Sequence, residues 1–350
     1  MAGTAAPAPG VCHSCGEPVG ATDSFCESCG MELAPATVSD GGGGGAQVCE
    51  ACSSARISAD GYCESCGHKV RSGRDHQETD LGIVAGVTDR GLRHHRNEDA
   101  MALATVPTTT GPAVVAVVCD GVSTTARPDE ASLAAVRAAA RVLLTAVRTG
   151  EDLQSASPSA VRAATAAVAA LTGRTGRADR PGDPPSATFV SAVLADGVAT
   201  VCWLGDSRAY WLAAGPDSAA QQLTRDDSVA EEMVAAGLLT EAQALASPQG
   251  HVVTRWIGAD LSDPEPHVTR YEPPGPGALL LCSDGLWNYA PEAAKLAELA
   301  LPAALTDPLG AVRALVGFAL DAGGADNVTA ILAPFPPAPP GPPSPPAGLT

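Results

Sequence analysis

VVAVVCDG, residues 114–121, is an unbroken apolar run that ends in a carboxylate and a glycine. The run is rich in β-branched residues, which predicts a strand that is buried on both faces. Gly121 permits a sharp turn where the chain leaves the core, so Asp120 is expected at the edge of that core. Taken alone, the pattern also fits an ordinary strand that ends in an Asp-Gly turn.

The same arrangement recurs later in the chain, where ALLLC at residues 278–282 leads into Ser283, Asp284 and Gly285. A second carboxylate is therefore expected at the end of a second apolar strand. Two such strand ends, together with further acidic segments, predict one shared site.

The composition indicates a soluble protein without a membrane span. Its 350 residues are 45% hydrophobic, which is enough for two domains and at least one substantial core. No apolar run approaches the roughly 20 residues that a span requires, and the N-terminus lacks a signal pattern, so we expect a cytoplasmic protein. The 39 acidic and 21 basic residues give a net charge of −18, which disfavours nonspecific binding to nucleic acid or anionic membranes and allows cation binding.

Eight cysteines near the N-terminus form two copies of one pattern, CxxC followed by a second CxxC. They are Cys12, Cys15, Cys26 and Cys29 in the first copy and Cys49, Cys52, Cys63 and Cys66 in the second. Four thiolates per copy suit tetrahedral zinc, and Gly30 and Gly67 fit turns whose backbone NH groups point at sulfur. A disulfide framework is the alternative, but a non-secreted chain disfavours it. We therefore predict two structural zinc ions, which would supply about 10–16 kcal/mol of folding free energy each.

The cysteine spacing resembles a double zinc ribbon, a family whose members bind nucleic acid or protein. The two modules carry few basic residues, so a protein partner is favoured over nucleic acid. The predicted segments are a flexible N-terminus (1–11), zinc ribbon 1 (12–33), a Gly-rich linker (34–47), zinc ribbon 2 (48–70), a linker (71–79), a large domain (80–333) and a disordered Pro-rich tail (334–350).

The large domain combines helical and strand patterns. Apolar residues at helical spacing predict amphipathic helices over 128–147 and 158–171. Short apolar runs separated by turn residues predict an antiparallel meander of strands over 188–194, 198–204 and 209–212. These patterns indicate an α+β domain.

Acidic residues stand at the ends of separate predicted elements without enough basic residues to neutralise them. They are Glu98, Asp99, Asp120, Asp206, Asp284 and Asp326. Oxygen ligands without nitrogen or sulfur select hard cations, Mg²⁺ or Mn²⁺. A pair of such ions with a bridging water could hydrolyse a phosphoester. A structural calcium site, or for the segment around Glu98 a solvated charged turn, is the alternative.

Six motifs occur in order along the large domain: RNEDA (96–100), DG (120–121), GDSRAY (205–210), LTRDDS (223–228), CSDGLW (282–287) and GGADN (323–327). On these motifs the chain resembles the protein phosphatase 2C family over about residues 80–333. The resemblance implies an αββα sandwich, two antiparallel sheets flanked by helices, and a metal-dependent protein serine/threonine phosphatase. It also implies two Mn²⁺ or Mg²⁺ ions, a metal-bridging water that attacks phosphorus, and phosphorylated protein substrates produced by serine/threonine kinases.

The resemblance assigns roles by motif. It implies that Asp120 bridges the two metals, that Gly121 offers its carbonyl, and that Asp284 and Asp326 complete one metal. Glu98 is expected to serve the other metal, partly through water. Two further acids complete the predicted set: Asp99 as an outer supporting acid, and Asp206 as a ligand of a weaker third metal.

The chain departs from the family pattern at three places. His94 occupies the position of an anion-binding arginine, and the hypothesis is that His94, Arg93 or Arg96 binds the substrate phosphate. Residues 123–125 (STT) replace a glycine pair after DG, and the proton donor is left open among His94, His95 and metal-bound water. LTRDDS replaces a common DHS, and the sequence assigns no role to that change.

Two other functions compete with an active phosphatase. One is a catalytically inactive phosphatase-like scaffold, which the complete acidic motifs disfavour. The other is a zinc-ribbon regulator associated with nucleic acid, which the net charge disfavours.

Overall fold

The structure is a computed structural model that describes residues 10–11, 18–19, 52, 54, 56, 58, 63–67, 73–172, 184–215, 219–240, 243–244, 247, 249–250, 252–260 and 264–335. The chain divides into two units, Met1–Thr37 and Val38–Thr350. Five of the predicted zinc ligands, Cys12, Cys15, Cys26, Cys29 and Cys49, lie outside the described residues.

The described strands are β1 (Gly10–Val11), β2 (Pro18–Val19), β3 (His76–Asp80), β4 (Ala85–Asp89), β5 (Asp99–Thr108), β6 (Gly111–Asp120), β7 (Ser186–Ala187), β8 (Phe189–Ala195), β9 (Val198–Leu204), β10 (Arg208–Ala213), β11 (Gln221–Gln222), β12 (Ile257–Gly258), β13 (His267–Tyr271), β14 (Gly277–Cys282) and β15 (Val328–Phe335). The described helices are α1 (Pro128–Thr149), α2 (Leu153–Ala169), α3 (Val229–Ala235), α4 (Asp284–Trp287), α5 (Ala293–Ala304) and α6 (Pro308–Asp321).

Two large antiparallel sheets form the centre of the second unit. One has six strands in the order β11-β10-β14-β15-β4-β3, and the other has five in the order β13-β9-β8-β6-β5. Helices α1 and α2 pack against the five-stranded sheet, and α5 and α6 pack against the six-stranded sheet. The αββα sandwich predicted from the sequence is thereby confirmed. Strands β1 and β2 pair in the first unit.

The apolar sequence runs of the central strands are unbroken because both faces of these strands are buried. Along β14, Leu279 and Leu281 contribute to the core cluster that both sheets share. The alternate residues, Leu280 and Cys282, pack in the cluster formed with α5 and α6. Since successive side chains of a strand point to opposite faces, a strand between two cores reads as an unbroken apolar run.

The large domain extends slightly beyond its predicted limits of 80–333. Strand β3 pairs with β4 from His76 onward, so the six-stranded sheet already includes part of the predicted linker, residues 71–79. The Arg74 guanidinium also donates to the backbone oxygen of Asp129, 2.9 Å away. At the other end, β15 continues to Phe335. A version of the chain that isolates this domain should therefore begin no later than Gly73.

Among the described residues, no helix combines the length and the apolar character that crossing a bilayer would take.

Candidate metal centre and basic pocket

The strand ends bring the predicted acidic residues together at one edge of the sandwich. Asp99 begins β5 and Asp120 ends β6, and the two residues lie directly opposite each other in the ladder. Asp284 follows β14, and Asp326 precedes β15, which is the neighbour of β14. Like charges directly opposite each other in a sheet are destabilising, so this register favours a bound cation.

The acidic cluster consists of Glu98, Asp99, Asp120, Asp206, Asp284 and Asp326. Burial and mutual repulsion raise the pKa values of four of them, Asp99, Asp120, Asp206 and Asp284. Burial, followed by the charges of Asp99 and Asp284, raises the pKa of Asp120 well above its ordinary value. Burial, followed by the charges of Asp206 and Asp326, does the same to the pKa of Asp284. The cluster therefore holds more negative charge than its surroundings stabilise.

The donor atoms of the cluster fit a hard divalent cation. Every donor is a carboxylate oxygen, the ligand type that Mg²⁺ and Mn²⁺ prefer. The Oδ1 atom of Asp284 is buried and, among the described residues, has no hydrogen-bond partner. Such an atom costs free energy unless a ligand satisfies it. Its other oxygen accepts a hydrogen bond of 3.2 Å from the Asn288 side chain.

The Glu98 side chain is held by two donors from different parts of the chain. Arg96 Nε donates to Oε1 at 2.8 Å, and the Ser123 hydroxyl donates to Oε2. Ser123 belongs to the segment that replaces the family's glycine pair. The departure from the family pattern thus places a new hydrogen-bond donor on a predicted metal ligand.

The Glu98 backbone is fixed just as firmly. Its NH donates to the Asn327 side-chain oxygen at 2.7 Å, and its carbonyl accepts from Gly121 N at 3.1 Å and from Ser132 Oγ at 2.6 Å. A Cβ atom on Gly121 would lie 2.3 Å from Pro128 O, so only glycine fits this position. These contacts set Glu98 beside the turn that follows Asp120.

Asp99 lies behind the cluster, where it is buried and hydrogen-bonded. Ser283 Oγ donates to its Oδ2 at 2.7 Å and accepts from the Thr329 backbone NH at 3.0 Å. Burial raises the pKa of Asp99 to about 6, although the hydrogen bond from Ser283 opposes the shift. This position matches the predicted outer supporting role, which stays a prediction.

The sequence assigned no contact or role to Ser123, Ser132, Ser283 or Asn327. Ser283 and Asn327 stand beside acidic residues in the quoted motifs CSDGLW and GGADN, which was the available signal. Their partners, Asp99 and Glu98, are far away in sequence, so no local pattern could predict the contacts.

His94 lies between two acidic residues of the cluster. Its Nε2 is 3.1 Å from Asp326 Oδ1, and its Nδ1 is 3.9 Å from Glu98 Oε2. The histidine that replaces the family's arginine thus contacts predicted metal ligands directly.

A pocket of about 520 Å³ opens beside the acidic cluster. It is lined by Arg93, His94, His95, Arg96, Glu98 and Ser123. We call it the basic pocket. Arg96 is engaged there by Glu98 at 2.8 Å and by Asp129 at 3.6 Å. Arg93 is exposed, and no hydrogen bond or ion pair joins it to another described residue. The pocket therefore presents an uncompensated guanidinium next to the acidic cluster.

Three cysteines of the second predicted zinc ribbon lie together. The sulfur atoms of Cys52, Cys63 and Cys66 are all within 4.8 Å of one another. Although burial opposes it, hydrogen bonds from the Ser65 and Cys66 backbones lower the pKa of Cys63 to about 6. Gly67 adopts φ 72°, and its NH donates to Cys63 O at 2.8 Å, as a tight turn after the second CxxC requires.

Comparison with known proteins gives consistent matches. The family model for protein phosphatase 2C matches residues 90–312, which include every member of the acidic cluster except Asp326. The serine/threonine phosphatase stp of Listeria innocua is 27% identical over 248 residues, covering 70% of this chain and 92% of that protein.

Two solved structures are also similar. MsPP, a PPM Ser-Thr phosphatase from Mycobacterium smegmatis crystallised with cacodylate, is 30% identical with a TM-score of 0.56, covering 71% of this chain and 97% of that one. The catalytic domain of the serine/threonine protein phosphatase PstP in complex with two manganese ions is 26% identical with a TM-score of 0.57, covering 72% and 96% respectively.

Proposed function

The chain belongs to the protein phosphatase 2C family and is a metal-dependent protein serine/threonine phosphatase, and we propose that its acidic cluster holds the two Mn²⁺ or Mg²⁺ ions of the reaction. One observation carries the proposal: Asp120 and Asp284 are buried beside other carboxylates, whose charges raise their pKa values, and one oxygen of Asp284 has no partner among the described residues. When bound, the metal ions acidify a water molecule for attack on the phosphorus of the substrate.

In this proposal each acidic residue has a separate task. Asp120 would contribute to holding both ions, with the Gly121 carbonyl beside it, and Asp284 and Asp326 would hold one of the two. Glu98 would hold the other ion, and Asp206 would hold a third, more weakly bound ion. Asp99, Ser283 and Asn327 keep these groups in place before the metals arrive, so little reorganisation is needed on binding.

The test is hydrolysis of a phosphoserine peptide with Mn²⁺ present and after chelation. Hydrolysis that depends on Mn²⁺ supports the proposal. An inactive scaffold or a nucleic-acid-associated regulator would hydrolyse nothing under either condition.

We further propose that Arg93 binds the substrate phosphate in the basic pocket, with His94 beside it. Arg96 is neutralised by Glu98 and Asp129, whereas Arg93 is exposed and unpaired among the described residues. A guanidinium that has no internal partner can donate two parallel N–H hydrogen bonds to a phosphate.

Replacing Arg93 with alanine is expected to raise KM for a phosphopeptide about tenfold or more, since hydrogen bonds to charged groups are worth roughly 1.5–3 kcal/mol. kcat should change much less, because the acidic cluster is untouched. Arg96→Ala and His94→Ala, measured in the same assay, are the comparisons. Unchanged KM in all three variants would contradict a phosphate-binding role for this pocket.

We also propose that the two cysteine modules each hold a structural zinc ion and dock a protein partner or substrate. The grouped sulfur atoms of Cys52, Cys63 and Cys66 support the second of these zinc sites. The lowered pKa of Cys63 favours the thiolate form that zinc binds.

A chain that begins at Gly73 is expected to lose both zinc ions and to keep kcat/KM for a short phosphopeptide within about twofold, because the acidic cluster and the basic pocket lie entirely after that residue. Metal analysis of the full-length and shortened proteins measures the zinc, and the peptide assay measures the activity. An inactive shortened protein would instead make the modules part of the catalytic unit.

A further inference from the structure

Asp206 is held in the acidic cluster through its backbone neighbours. Its side chain is buried, and burial followed by the charge of Asp226 raises its pKa to about 7. The carbonyl oxygen of Asp206 accepts a hydrogen bond of 2.9 Å from Trp287 Nε1. The residue before it, Gly205, has φ +107° and lies close to Thr188. The direction of the carboxylate therefore depends on what fixes this short turn.

Asp227 fixes the turn from one side with two hydrogen bonds. Its Oδ2 accepts from Gly205 N at 3.0 Å, and its own NH donates to Gly205 O at 2.9 Å. Because both polar groups of Gly205 end on one residue, a shift of Asp227 would move the backbone immediately before Asp206.

The adjacent Asp226 fixes the chain on the C-terminal side of Asp206, through Arg208. It accepts three hydrogen bonds of 2.7–3.1 Å from Arg208, and both side chains of this ion pair are buried. The Arg208 guanidinium lies 3.7 Å above the ring of Trp287, which in turn donates to Asp206. Asp227 thus binds the residue before Asp206, and Asp226 binds Arg208, two residues after it.

His267, the first residue of β13 in the five-stranded sheet, faces Asp227 in the loop between β11 and α3. Its Nε2 is 2.8 Å from Asp227 Oδ1, and its ring stacks on Trp203 with centroids 4.9 Å apart. The Arg255 guanidinium also lies nearby, with its Nε 3.8 Å from the same oxygen. Asp227 belongs to LTRDDS, the motif that departs from the family's DHS pattern, and its carboxylate faces the imidazole of His267 from a segment 40 residues away.

We propose that Asp227 is a positioning residue that orients Asp206 through Gly205, and that His267 holds Asp227 in place. This pair sets the affinity of the acidic cluster for the divalent cation that it binds most weakly. The inference rests on the proposed metal-binding role of Asp206. It assigns a role to LTRDDS, the departure from the family pattern to which no role was assigned from the sequence.

The test uses the full-length, metal-stripped protein titrated with Mn²⁺, with free Mn²⁺ followed by electron paramagnetic resonance. Asp227→Ala is expected to weaken the lowest-affinity site about 10-fold or more, the range typical of residues that orient metal ligands. Asp227→Asn keeps an acceptor for Gly205 N and should lie between this variant and the wild type. With a phosphopeptide, Asp227→Ala should lower kcat at limiting Mn²⁺ and leave KM unchanged.

Two further variants separate positioning from general destabilisation. His267→Phe keeps an aromatic ring on Trp203 but removes Nε2, so it should weaken Mn²⁺ binding at the same site by about threefold. Combined with Asp227→Ala it should cause no further loss of affinity. Glu231→Gln, which removes an exposed ion pair in the same segment, is the control and should titrate like the wild type.

A folded Asp227→Ala protein with a wild-type Mn²⁺ titration overturns the inference. If that variant does not fold, Asp227→Asn and His267→Phe decide, and wild-type titrations in both overturn it. A wild-type protein that binds no Mn²⁺, or binds it without hydrolysing the peptide, contradicts the proposed function instead.

Discussion

Asp120→Ala is expected to lower kcat for phosphopeptide hydrolysis by about 1,000-fold or more. Asp120 is the residue proposed to contact both metal ions, and its carboxylate interacts with Asp99 and Asp284 at the centre of the acidic cluster. Metal ions contribute several kcal/mol to such reactions, and about 1.4 kcal/mol corresponds to a tenfold change in rate. The measurement is kcat at saturating Mn²⁺ together with a direct Mn²⁺ titration.

Asp120→Asn is the companion variant, because it keeps the shape of the side chain and removes only the charge. Asp321→Asn, at the exposed end of α6, is the surface control and should behave like the wild type. Substantial activity in Asp120→Ala, or activity that resists chelation, would rule out the proposed mechanism.

The metal-free protein is expected to lose stability as the pH rises from about 5 to 8, with a fall in Tm on the order of 10 °C. Burial raises the pKa of Asp99 to about 6 and that of Asp206 to about 7. Burial and neighbouring carboxylates also raise the pKa values of Asp120 and Asp284 well above the ordinary value, whereas an unfolded aspartate titrates near 3.9. The folded state therefore holds protons that the unfolded chain has already released.

Because the folded state binds more protons over this interval, its free energy of unfolding decreases as the pH rises. Bound Mn²⁺ should remove most of this loss, since the cation stabilises the deprotonated carboxylates and binds better as they ionise. Thermal unfolding at pH 5, 6, 7 and 8, with and without Mn²⁺, measures both effects. In the metal-free state Asp120→Ala should be more stable than the wild type at pH 8. A Tm that is constant or rises with pH would contradict this account.

Local sequence patterns predicted much of the fold. The helices expected over 128–147 and 158–171 correspond to α1 and α2, and the predicted strands at 188–194 and 198–204 correspond to β8 and β9. These elements are readable because side-chain periodicity is a property of neighbouring residues. Strand β5 was not predicted, since AMALATVPT mixes apolar residues with threonine and proline and follows a charged segment.

Residue types and their spacing were enough to identify the groups that could do chemistry: the acids at the strand ends, the paired CxxC motifs and the histidines and arginines of residues 93–96. Their arrangement could be read only from the folded chain. It paired Asp99 with Asp120, occupied Arg96 with Glu98 and Asp129, and left Arg93 exposed. It also brought His267 to Asp227. The type of each residue is a property of a single position in the sequence. These contacts join segments far apart in the chain, so they exist only once the two sheets have packed.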